Sequence, residues 1–162
     1  TFVEISCGSD TVSTSLNRMI PVFVDSSVLI AASMSARGFA NDLMMLGVDG
    51  SVSLFVSDVV LMETERNLHR KAPHVLPVLA FFQQVLAPEI VDPRDALVLE
   101  AARIVHPKDA PIIAAAVEAH AKWLATYDRK HLLPQRDSVV DRYGVVIATP
   151  DEIVRSVMSM KQ

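Results

Sequence analysis

The chain has 162 residues, 51% hydrophobic and 21% charged, with a net charge of −4. This length and balance fit one globular domain and exclude a disordered chain, and no run approaches the roughly 20 apolar residues of a membrane span. The acidic balance also excludes a bulk positive field for a polyanion, so a nucleic-acid ligand needs local basic residues or bound cations.

Residues 1–18 are rich in Ser and Thr and lack the apolar stretch of a secretory signal. They are expected to be an extension outside the fold, with Met19 resembling an alternative start. The remainder, 19–162, is expected to form a single domain. Cys7, the only cysteine, has no internal disulfide partner, which favours a reducing, cytoplasmic setting.

The apolar, β-branched run 21–24 predicts a strand buried on both faces, and 26–36 reads as helix up to the break at Gly38. Phe39, Leu43 and Leu46 share a helical face over 39–46, which Gly47 and Gly50 end. A second strand is expected at 53–57. Ser57 is placed to cap the following helix, which reaches about residue 70, with Asp58 favourable at its N-terminal dipole. After Pro73 and Pro77, residues 76–86 form another apolar helix pattern, and 89–92 an edge strand.

Asp92-Pro93-Arg94-Asp95 starts a helix holding Leu97, Leu99, Ala101 and Ile104, which His106-Pro107 stops. Asp109 opens an alanine-rich helix, with Pro111 in its first turn where a missing N–H is harmless. Short strands at 123–126 and 144–148 and a helix from Pro150 complete the pattern. Strands alternating with helices predict a mostly parallel sheet covered on both faces, and such folds bind ligands outside the carboxyl ends of their strands.

Four acids fall at or within reach of that edge: Asp25, Glu63, Asp109 and Asp128. Each has a plain structural explanation, since the three aspartates occupy N-cap positions and Glu63 lies inside a helix. Independent caps need not gather at one edge, however. Crowded carboxylates repel one another unless a cation neutralises them, and hard oxygen ligands suit Mg²⁺ or Mn²⁺. The five histidines show no zinc-ligand spacing, there is no Gly-rich phosphate loop, and no serine sits in a nucleophile motif. Asp25 is followed by Ser26-Ser27, which fits neither the Asp-x-Asp of phosphate-transfer enzymes nor the acid pair of phospho-receivers.

Four segments in order, Val22 to Ile30, Val56 to Arg66, Lys108 to Ala116 and Leu124 to Leu133, together with the tail Gly144 to Pro150, resemble the PIN domains. The resemblance implies a three-layer α/β/α sandwich with a mostly parallel central sheet. It also implies a ribonuclease that hydrolyses RNA with Mg²⁺ or Mn²⁺, one or two ions, held by Asp25, Glu63, Asp109 and Asp128. A role as the toxin of a toxin–antitoxin pair follows as an expectation, with RNA as substrate and a protein antitoxin as partner. Separately, the apolar helices over 39–46 and 76–86 carry more hydrophobic surface than one sheet face needs, which suggests a homodimer interface or an antitoxin groove. Ser26 and Thr126 are expected to orient a carboxylate or a metal-bound water, and Arg129, Lys130 and His131 to contact phosphate. The competing reading is a non-catalytic RNA-binding or protein-interaction module that keeps the acids as caps.

Overall fold

The computed structural model describes residues 18–162, so the expected extension falls, except for Arg18, outside the described residues. Among the described residues five strands form one sheet: β1 (Ile20–Val24), β2 (Val52–Val56), β3 (Glu89–Ile90), β4 (Trp123–Ala125) and β5 (Val146–Ala148). Their order is β3-β2-β1-β4-β5, and every pairing is parallel. A strand flanked on both sides and covered on both faces needs apolar residues at every position. Accordingly Val22, Phe23 and Val24 of β1 are fully buried, as are Leu124 and Ala125 of β4.

Eight helices among the described residues cover the sheet. In chain order they are α1 (Ser26–Met34), α2 (Phe39–Val48), α3 (Asp58–Lys71), α4 (Leu76–Leu86), α5 (Asp95–Ala101), α6 (Ala110–Glu118), α7 (Arg136–Tyr143) and α8 (Pro150–Met160). Helices α1 to α4 pack on one another, with α8 against α2, while α5 packs on α6. Arg142 of α7 pairs with Glu100 of α5, tying α7 to that second group. The result is the three-layer α/β/α sandwich. Among the described residues no helix is long and apolar enough to cross a membrane.

Two differences from the sequence pattern have local causes. Helix α7 has no counterpart among the expected elements, because its segment is polar and Val139 is its only buried residue, leaving no apolar stripe to recognise. Its stop is nevertheless conventional: Gly144 sits at φ 74° and its N–H donates to the Val140 carbonyl. Helix α5 closes at Ala101 rather than near Ile104. There the N–H groups of Arg103 and Ile104 turn back to the carbonyls of Glu100 and Ala101, three residues earlier, tightening the chain into turns.

The topology itself singles out one place. From β1 the chain builds outward to β2 and β3 on one side, then returns to build β4 and β5 on the other. The strand order therefore reverses between β1 and β4, and the connections leaving their carboxyl ends diverge to open a crevice there.

Candidate functional site

Asp25 leaves β1 at this crevice. Its backbone N–H donates to the Ala125 carbonyl at 3.0 Å, extending the β1–β4 ladder by one residue, and only 4% of the residue is exposed. It holds the N-cap position of α1, yet its carboxylate caps nothing. Oδ2 instead accepts from Ser27 Oγ at 2.7 Å and from Thr126 Oγ1 at 2.8 Å. Each hydroxyl has a single proton, which these bonds use, and each also accepts a backbone N–H: Tyr127 N at 3.0 Å on Ser27, and Asp128 N at 3.0 Å on Thr126. The network clamps the start of α1 to the loop after β4. Among the described residues nothing donates to Oδ1.

Asp128, three residues beyond β4, acts as a cap for the turn that follows. Its Oδ1 accepts from Lys130 N at 3.0 Å and His131 N at 2.8 Å, and Oδ2 lies 3.2 Å from His131 Nδ1. Burial opposes its ionisation, but the two backbone N–H groups and the His131 ring outweigh that and hold the carboxyl below its ordinary value.

Asp109 is the N-cap residue of α6 and 9% exposed, and its side chain also makes no capping bond. Ser57, by contrast, does cap as expected, accepting from Val60 N at 3.3 Å at the head of α3. Capping therefore accounts for one oxygen of Asp128 and for neither carboxylate of Asp25 or Asp109. Glu63 is exposed on α3.

All four acids line one cleft of about 770 Å³. Glu65 does not line it, because two residues along a helix turns a side chain to a different face. The face α3 presents to the cleft is Val59, Met62, Glu63, Arg66, Asn67 and Arg70, and Lys108 and His131 add further basic groups. Ser26 lines the cleft too, but its hydroxyl bonds to no described residue; the clamp on Asp25 comes from Ser27 and Thr126. Arg129 and Lys130 are exposed and do not line the cleft. Their turn is wound about the Asp128 carboxylate through its backbone. Ser27, Arg66, Asn67 and Arg70 are cleft residues that the sequence pattern does not single out. The available signal for the last three is spacing, since they stand three, four and seven residues beyond Glu63 and so share its face.

The donor set is chemically suited to a hard divalent cation, being entirely carboxylate oxygen. The geometry is not that of a finished coordination shell: among the described residues no three Asp, Glu, His or Cys side chains stand grouped to hold an ion as they are. Mutual repulsion of carboxylates favours that spread.

A family model for the PIN domain matches residues 21–130. The chain belongs to the PIN domain family. Two solved structures resemble this PIN domain over nearly their whole length. PAE2754 from Pyrobaculum aerophilum is 16% identical with a TM-score of 0.56, covering 88% of this chain and 99% of its own. VapBC2 from Rickettsia felis, solved bound to a DNA fragment from their promoter, is 17% identical with a TM-score of 0.58, covering 80% and 98%. At such identities the likeness is one of fold. Comparison with curated proteins gave no match.

Proposed function

We propose that this PIN domain is an endoribonuclease that hydrolyses RNA phosphodiester bonds with Mg²⁺ or Mn²⁺ held by Asp25, Glu63, Asp109 and Asp128. The observation that carries this reading is the gathering of four acids from four separate chain segments in one cleft at the switch point of the sheet. A divalent ion held there would supply a Lewis acid for activating water and stabilising the leaving oxygen. Ser27 and Thr126 fix Asp25 so that Oδ1 remains available as a ligand. Glu63, exposed on α3 and lining the same cleft, would be a further carboxylate ligand for the ion.

Residues 19–162 act as a single cytoplasmic domain in this reading. The pairing named for the Rickettsia felis protein supports a toxin role with a protein antitoxin. Val78, Phe81 and Val85, three outward apolar residues at helical spacing on α4, support a face for that antitoxin or for a second copy of the chain.

The ungrouped ligands favour one competing reading, a module that binds RNA or protein without turnover. Melting the protein across a Mn²⁺ titration, alongside cleavage of a mixed single-stranded RNA pool, separates the two. At a hundred times its Kd, Mn²⁺ is expected to stabilise the fold by about 2.7 kcal/mol and to switch cleavage on. No rise in Tm and no cleavage would remove the enzyme reading.

A further inference from the structure

The cleft face of α3 changes chemistry along its length. Val59 and Met62 come first, Glu63 follows, and Arg66 and Arg70 lie beyond it with Asn67 between them. Arg66 and Arg70 are four residues apart, so their side chains rise from one face about 6 Å apart along the axis. Neither makes an ion pair with a described carboxylate, although Glu63 precedes Arg66 by a spacing that permits one. Arg94, Arg136, Arg142 and Arg155 do make such pairs, while Arg37, Arg103 and Arg129 make none with a described carboxylate either but do not line the cleft. Among the described residues Arg70 makes only a long bond, 3.4 Å, to Asn67 Oδ1, and Asn67 is itself turned back to the Glu63 carbonyl at 2.9 Å. In a chain of net charge −4, two exposed guanidiniums without an ionic partner among the described residues, in a cleft lined by four acids, are a local departure from the overall field.

We propose that Arg66 and Arg70 bind consecutive backbone phosphates of single-stranded RNA and lead the strand along α3 away from the acids. The guanidinium fork matches phosphate oxygens two at a time, and contacts of this kind set register without reading sequence. Such an anchor also meets a physical need of the cleft, because four carboxylates repel a polyanion at the point where its scissile phosphate must sit. The proposal rests on the nuclease reading for the position of that phosphate, and not for the contact itself.

A structural role for Arg70 makes a different prediction. His69, Arg70 and Lys71 all occupy the last turn of α3, where cations favour the helix dipole. Lys71 shares that benefit but does not line the cleft. Lys71→Ala is therefore the control both for helix stability and for an exposed positive charge outside the cleft.

The test is fluorescence anisotropy with a labelled mixed-sequence single-stranded RNA pool in Mg²⁺, over a salt series. It uses the Asp25→Asn protein so that binding is read without cleavage. Adding Arg66→Ala and Arg70→Ala together is expected to weaken binding at least tenfold and to flatten the log-log salt slope by about 1.4, or ~0.7 for each lost contact. Lys71→Ala is expected to change neither quantity, and Arg→Lys at both positions 66 and 70 to restore most of the slope. Unchanged affinity and slope in the double variant would overturn the proposal, as would an equal loss from Lys71→Ala. Capture of a polyglutamate peptide by these arginines without RNA binding would overturn it in favour of a protein partner. If the double variant loses RNA binding while the unmodified chain never cleaves, the nuclease reading fails and the phosphate track stands. If the unmodified chain cleaves while the double variant binds RNA as before, the phosphate track fails and the nuclease reading stands.

Discussion

Asp25→Asn is expected to lower Mn²⁺-dependent RNA cleavage by roughly 10³-fold, about 4 kcal/mol of transition-state stabilisation, while leaving the fold intact. Asparagine retains the shape and one carbonyl oxygen to accept from Ser27 and Thr126, whose bonds of 2.7 and 2.8 Å clamp this position. It removes one negative charge from a cleft that holds three other acids, so the metal-free variant should melt no earlier than the unmodified chain. With Mn²⁺ present the order reverses, since only the unmodified chain gains stability from binding. Steady-state cleavage and melting curves with and without Mn²⁺ check the two halves separately. Retained cleavage in the variant would remove Asp25 from the reaction.

Thr126→Val is expected to be the most damaging change away from the acids themselves. The substitution keeps the volume and deletes one oxygen from a fully buried residue. That oxygen donates to Asp25 and accepts the Asp128 N–H, so both acids lose an anchor at once. The unpartnered N–H alone costs about 1–3 kcal/mol of stability. Cleavage should fall about 10- to 100-fold, the usual effect of losing a group that orients a metal ligand. Thr126→Ser restores the oxygen and should recover most of the rate, which a purely steric defect would not allow. A Thr126→Ser protein as impaired as the valine variant would show that the methyl, rather than the hydroxyl, is what matters.

Much of this architecture is legible from the chain because buried parallel strands carry unbroken apolar runs. The runs at 21–24 and 123–126 place β1 and β4 within a residue or two, and parallel order then puts Asp25 and Asp128 at the same edge of the sheet. What stays hidden depends on direction rather than position. Ser26 and Ser27 are equivalent in sequence, and only the close pairing of β1 with β4 decides that Ser27 reaches both Asp25 and the Tyr127 N–H. The basic residues differ for a similar reason. Arg129 and Lys130 are nearest to Asp128 along the chain yet lie outside the cleft, whereas Arg66 and Arg70 reach it by helical repeat from Glu63. Position alone makes all three aspartates caps, and side-chain geometry separates Asp128, which caps with one oxygen, from Asp25 and Asp109, which do not.

A metal centre here requires that carboxylates spread around one cleft draw together on an ion. Anomalous diffraction from crystals soaked in Mn²⁺ measures this directly. The expected map has a peak inside the cleft bounded by Asp25, Glu63, Asp109 and Asp128, with Oδ1 of Asp25 among its ligands and Glu63 turned inward. A cleft without anomalous density at saturating Mn²⁺, or a peak held only by residues outside it, would contradict a metal centre at this site.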